Sequence, residues 1–278
     1  MILKIMDNPY LVLFLFGIGL WGLIKVRQSL NRDSQQPGVV IGNAQTKGKR
    51  SEQEDSFATE SNAQGVLAVL ADGMGGYADG KLASENVVKT FVERFSDQVL
   101  GSVEHFFQTT SRLCNDHLLE LGQETKIGST LAAVIVTGGK LYWVSIGDSA
   151  IMLYRDGELS TLNKKHNFQT MLEEQYQSGK ISKAELVNHP KKKRLTSFLG
   201  SDGFREIALH QRPLKLAPND KIVLCSDGVY NGISELEMEK ILGLNLKPND
   251  LADRIIKKII AREVANQDNA TIIILKVV

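Results

Sequence analysis

A chain of 278 residues that is 42% hydrophobic and 23% charged carries enough apolar material for a sizeable core, which excludes disorder as its default state. Its 33 Lys and Arg against 32 Asp and Glu leave a net charge of +1, without the strongly basic footprint of a nucleic-acid binder, so no nucleic acid is expected as partner. The two cysteines, Cys114 and Cys225, show no C-x-x-C spacing and read as buried thiols of a reducing compartment in preference to a disulfide.

The first element in the chain is apolar. No charged residue stands between Asp7 and Lys25, and residues 8–24 predict a single transmembrane helix, near the lower limit of the roughly 17–25 residues that span a bilayer. A cleaved signal peptide is the competing reading, but it requires a positive start, a shorter apolar region and a small-x-small cleavage site. Lys25, Arg27 and Arg32 outnumber Lys4 on the other flank, so the positive-inside bias predicts a single-pass protein of the cell (inner) membrane with the remainder in the cytoplasm. The expected layout is an anchor over residues 1–27, a polar linker over 28–38 with Pro37 and Gly38, and one folded domain over 39–278.

Within that domain, residues 65–71 form a short apolar run bounded by glycine. Residues 130–136 pass through Gly138 and Gly139 into 140–146, the pattern of a hairpin, and 150–154 turn at Asp156-Gly157 into 158–162. Residues 221–225 and 270–277 complete the strand-like runs. Helical periodicity places Ala83, Val87, Val88, Phe91, Val92 and Phe95 on one face, recurs over 103–121, and returns over 249–264 with Asn249 as predicted N-cap. Helices that come in an early pair and again late, with hairpins between, depart from the alternation of a parallel sheet. An α+β fold with antiparallel sheets is predicted.

The stretch LAVLADGMGG at 67–76 ends an apolar run on Asp72 and follows it with glycines. A tight turn in which the aspartate caps its own backbone explains that stretch by itself. Asp72 has company, however: Asp227-Gly228 follows the run at 221–225, Gly147-Asp148 follows 140–146, Asp268-Asn269 precedes the last run, and Glu54-Asp55 precedes Phe57. Carboxylates gathered at strand ends repel one another and lose hydration. Hard divalent cations, Mg2+ or Mn2+, are the natural counter-charge, since they take oxygen ligands and keep several waters. Glycine after Asp72 would let a backbone carbonyl join such a shell, and two ions sharing a water would activate it for attack on phosphorus. Ser129 and Thr130 read as residues that order the loop, with no histidine beside them to serve as base.

The ordered series Arg50-x-x-x-Glu54-Asp55, Ala71-Asp72-Gly73-Met74-Gly75-Gly76, Gly128-Ser129-Thr130, Gly147-Asp148-Ser149, Ser226-Asp227-Gly228 and Asp268-Asn269-Ala270-Thr271 resembles the PP2C (PPM) family of metal-dependent Ser/Thr protein phosphatases, in its bacterial branch. The resemblance covers residues 39–278. It implies a PP2C-like four-layer α-β-β-α sandwich, two packed antiparallel sheets flanked by helices. It also implies hydrolysis of phosphoserine and phosphothreonine in proteins by direct attack of a metal-bridging hydroxide, with no phosphoenzyme. In that scheme Asp72 bridges two core Mn2+ or Mg2+ ions, Asp227 and Asp268 complete one shell, and Glu54, Asp55 and the Gly73 carbonyl serve the other. Asp148 with Asp227 would hold a weaker third ion, and Arg50 would grip the substrate phosphate with its planar fork. The partners implied are phosphorylated Ser/Thr proteins, the products of a Ser/Thr kinase.

Departures from the family pattern stand beside it. Met74 takes the place where many eukaryotic relatives carry a histidine proposed as general acid, and a thioether donates no proton. Ala150 replaces a common arginine. Residues 163–200 resemble the family's flap, in which Lys193 replaces a common asparagine. These departures support the alternative of a catalytically weak PP2C-like membrane scaffold that binds phosphorylated partners, against which the intact acid set speaks.

Overall fold

The computed structural model describes residues 38–75, 79–122, 127–192, 194–202, 204, 207–209 and 212–278. The expected transmembrane helix over 8–24 and the linker up to Pro37 lie outside the described residues, as does Lys193. Among the described residues no helix is long and apolar enough to cross a membrane.

The apolar runs become strands because each is covered on both faces. One five-stranded antiparallel sheet has the order β1 (Val39–Thr46), β12 (Ala270–Val277), β11 (Lys221–Cys225), β7 (Ala150–Arg155), β8 (Glu158–Thr161). The other sheet runs β10 (Leu214–Lys215), β6 (Lys140–Ile146), β5 (Leu131–Thr137), β3 (Gly65–Met74), β2 (Asp55–Asn62). To it are added β4 (Gly128–Ser129) against the end of β3, and β9 (Ala208–Leu209) against β6.

Successive strand residues point to opposite faces. On β3, Ala68 and Leu70 join Ile151, Ile273 and Leu275 of the other sheet in the core between the sheets, while Leu67, Val69 and Ala71 point outward. That outer face is covered by α1 (Asp79–Asp97) and α2 (Val103–Leu121), whose Phe91 and Phe106 rings meet edge to face at 6.0 Å. The outer face of the five-stranded sheet is covered by α5 (Asp227–Gly232), α6 (Glu235–Leu242) and α7 (Pro248–Ile260). The layering is helix, sheet, sheet, helix. Two further helices, α3 (Phe168–Gln177) and α4 (Lys183–Asn188), lie in the flap-like segment.

Both expected hairpins form, with Gly138 and Gly139 at φ 56° and 68°, and Asp156 and Gly157 at 54° and 93°. Helix α7 starts differently from its prediction. Pro248 takes the first helical position after Lys247, where a missing N–H costs nothing. The Asn249 side chain, expected to cap, instead accepts a hydrogen bond from the Asn43 N–H of β1 at 3.0 Å.

The inward-facing row of β3 continues from Ala68 and Leu70 to Asp72, and on β2 the residue two before inward-facing Phe57 is Asp55. Both rows therefore leave the apolar core at the same end and finish on a carboxylate. The folded unit that contains all of this spans Gly38–Val278.

Candidate metal and phosphate site

The site lies where strands of both sheets end. Asp55 and Asp72 are direct cross-strand partners on β2 and β3. Asp227 opens α5 just after β11, Asp268 stands shortly before β12, and Asp148 lies between β6 and β7. Burial first, and then the charges of Asp55, Asp227, Asp148 and Asp268, hold the Asp72 carboxyl well above the usual carboxylate range. Burial also pushes Asp55 up to about 6, opposed by the Ser226 hydroxyl, which lies 2.7 Å from Asp55 Oδ2. Asp148 is raised by burial against the pull of Asn167, Lys165 and Tyr230, and Glu54 is raised by burial against Arg50.

Arg50 reaches the same cluster from the loop after β1. Its Nη2 donates to Asp268 Oδ2 at 2.6 Å, and that bond raises the guanidinium pKa above its ordinary value. All seven of the side chains expected at the site thus meet electrostatically, with the Gly73 backbone beside Asp72.

The loops that carry these acids are tied to one another through backbone atoms. The Thr130 hydroxyl accepts from the Asp72 N–H at 2.9 Å, the Thr130 N–H donates to the Asp72 carbonyl at 2.8 Å, and the Ser129 hydroxyl donates to the same carbonyl at 3.2 Å. These two residues order the loop, as expected. Asn269 clamps the Arg50–Glu54 segment: its Oδ1 accepts from the Glu54 N–H at 2.8 Å, and its Nδ2 donates to the carbonyls of Lys47 and Glu52, both at 2.9 Å. The glycines after the acids have a packing reason as well. A Cβ on Gly73 would overlap the Gly80 carbonyl, and one on Gly228 would overlap the carbonyl of Asn269.

Among the described residues no three acidic, histidine or cysteine side chains stand at the spacing of a formed metal shell. The donor set nevertheless fits a hard divalent cation. It consists of oxygens, and Asp55 Oδ1 is buried with no hydrogen-bond partner.

Neighbouring positions take plain structural roles. Ala150 is fully buried, paired with Cys225 beneath α5 and α7. His166 Nδ1 accepts from the Gly147 N–H at 3.3 Å, and His189 stacks on Phe168 at 4.9 Å. Met74 and Gly75 line a cavity of about 860 Å³ with Leu118, Ile127 and Phe198. Sequence reasoning did not single out Asn269 as a clamp, Ser226 as the partner of Asp55, or Lys165 and Tyr230 beside Asp148. Two hints were present: an asparagine fixed directly after an acid, and a serine directly before one.

A family model described as Protein phosphatase 2C matches residues 44–251. The serine/threonine phosphatase stp of Listeria monocytogenes serotype 4b is 29% identical over 218 residues, which is 76% of this chain and 84% of that protein. The structure of the S. agalactiae serine/threonine phosphatase superposes with a TM-score of 0.79 at 26% identity, over 87% of this chain and 100% of the other. The catalytic domain of the serine/threonine protein phosphatase PstP, solved in complex with 2 manganese ions, superposes with a TM-score of 0.69 at 26% identity, over 87% of this chain and 100% of the other. Fold, motif order and the convergence of acids on Asp72 agree with these likenesses. The chain belongs to the protein phosphatase 2C family and is a metal-dependent protein serine/threonine phosphatase.

Proposed function

We propose that two Mn2+ or Mg2+ ions are held with Asp72 between them, Asp227 and Asp268 serving one and Glu54, Asp55 and the Gly73 carbonyl the other, and that Arg50 receives the substrate phosphate. The observation that carries this reading is the Asp72 carboxyl, on which the charges of Asp55, Asp148, Asp227 and Asp268 all bear. When bound, such ions supply an activated water and neutralise charge on the phosphoryl group. Manganese in the PstP catalytic domain supports the choice of ion.

The chain's own groups do the positioning. Thr130 and Ser129 fix the Asp72 backbone, and Asn269 fixes the segment from Arg50 to Glu54. Arg50 is exposed, and its planar fork suits the bidentate grip of a phosphate, for which it would exchange Asp268. Met74 has no proton to give, so the leaving oxygen takes its proton from water. A third ion, expected on Asp148 and Asp227, meets a competing cation of the chain itself, since the Lys165 ammonium feels both acids.

The substrates of this reading are phosphoserine and phosphothreonine proteins made by a Ser/Thr kinase at the same membrane. Residues 8–24 would anchor the domain as a single inner-membrane span facing the cytoplasm. Its support is the uncharged run after Asp7 and the basic flank of Lys25, Arg27 and Arg32. Protease added to intact spheroplasts should leave the domain whole; digestion would reverse the orientation.

The catalytic test is phosphate release from a phosphothreonine peptide by the full chain in detergent, with Mn2+, with excess EDTA, and in the Asp227→Ala variant. Release should require the metal and should fall at least ~100-fold in the variant. Full activity of Asp227→Ala with Mn2+ would remove that residue from the site.

A further inference from the structure

Beside the acid cluster, on the side of Asp148 and Asp227, lies a cavity of about 420 Å³ whose wall includes Asp148, Asn163, Lys165, Asn167, Asp227 and Tyr230. One of these residues carries a positive charge into it. Lys165 is half-buried, its Nζ sits 3.1 Å from the centroid of the Tyr230 ring, and burial draws its pKa below the ordinary lysine value against the opposing charges of Asp148, Asp227 and Glu173. A cation over a tyrosine face is held by the ring quadrupole, more firmly when partly shielded from water.

The position of Lys165 follows from its neighbours. The Asn163 Oδ1 accepts from the Ile151 N–H at 2.7 Å and its Nδ2 donates to the Ser149 carbonyl at 2.9 Å. On the other flank the His166 N–H donates to the Gly147 carbonyl at 2.7 Å, while its Nδ1 accepts from the Gly147 N–H at 3.3 Å. The residues flanking Asp148 are thus bonded to residues flanking Lys165. The Tyr230 hydroxyl completes the frame by donating to the Asp148 carbonyl at 3.2 Å. A surface lysine on a solvated loop has no such scaffold.

We propose that Lys165 is a built-in cation that occupies the Asp148–Asp227 end of the acid cluster in place of a third metal ion. The proposal rests on the two-ion reading of the remaining acids. An ammonium lining the same cavity as Asp148 and Asp227 disfavours a divalent ion there and supplies part of the charge that such an ion would bring. The Tyr230 ring, a poor partner for a hydrated Mn2+ that seeks oxygen ligands, suits an ammonium on a hydrocarbon stem.

The test counts Mn2+ bound to the full chain in detergent, from the electron paramagnetic resonance of free Mn2+ at a series of total concentrations. Wild type and Lys165→Arg should bind about two ions per chain, and Lys165→Asp about three, because a third carboxylate then replaces the ammonium. Lys165→Met, which keeps the stem without charge, should bind the added ion at least about tenfold more tightly than wild type and covers the case in which the aspartate variant does not fold. A wild-type chain that binds three ions and hydrolyses phosphopeptide overturns the role of Lys165 and leaves the two core ions in place. Unchanged counts in both Lys165→Asp and Lys165→Met overturn it as well, and a raised KM for phosphopeptide in those variants would reassign Lys165 to the substrate. A folded wild-type chain that binds no Mn2+ overturns this inference together with the reading it rests on.

Discussion

Asp55 faces Asp72 directly across the β2–β3 ladder, two carboxylates paired where a sheet ordinarily sets unlike charges or apolar groups. Like charges opposite one another destabilise an antiparallel pair, on the scale of about 0.2–1 kcal/mol that favourable cross-strand pairs contribute. Asp72→Asn should therefore raise the melting temperature in EDTA by up to about 4 °C while abolishing phosphate release. A variant that melts lower than wild type in EDTA would show that the pair is not strained.

Gly228 follows Asp227 because the Asn269 carbonyl occupies the space of its missing side chain. Gly228→Ala should cost ~2–3 kcal/mol in urea unfolding, since the backbone it meets has no room to yield. Gly101, around which nothing lies within 4 Å, provides the comparison, and Gly101→Ala should leave the midpoint essentially unchanged.

Asn269 makes three hydrogen bonds to the backbone of the segment running from Lys47 to Glu54. Removing them with Asn269→Ala should cost about 2–3 kcal/mol of stability at roughly 1 kcal/mol per bond. The same variant frees Arg50 from its fixed approach, so KM for phosphopeptide should rise as well. Stability lost with KM unchanged would confine Asn269 to packing.

Glu237 is held down to about 2 by the Ser234 hydroxyl first, then by Lys258, the Ser234 N–H and Arg262. Its pKa is lower folded than unfolded, so its contribution is complete above the unfolded carboxylate value near 4.3 and disappears as pH falls through about 2. In acid denaturation at low salt, wild type should exceed Glu237→Gln in stability above about pH 5, and the two should converge near pH 2. Equal stability at pH 7 would mean that solvent screens the pair completely.

Much of this molecule is readable from its residues. Asp72, Asp227 and Asp268 stand out because apolar runs adjoin them, and α1 and α2 because Val87, Phe91, Phe95, Phe107 and Cys114 recur at helical spacing. Strand β1 escapes notice because its residues are partly exposed at a sheet edge, and β2 because DSFATESN is polar along most of its length. Asn249 misleads because capping chemistry and a bond to a neighbouring strand use the same side chain, and Pro248 decides between them. Lys165 is hidden by composition, since two adjacent lysines resemble a solvated loop until Asn163 and His166 are seen bonded to the Asp148 segment.

The pairing of β1 with β12 joins the opening strand of the folded unit to its closing one, residue for residue from Val39↔Val277 to Thr46↔Ala270. Contacts so distant along the chain are slow to form, because a very large loop must close before any of them repays its entropy. Arg50 and Glu54 follow one member of that pair, and Asp268 precedes the other. The site therefore depends on this long-range pairing, and a chain whose outer strands have not zipped together would leave Arg50 and Glu54 apart from Asp268.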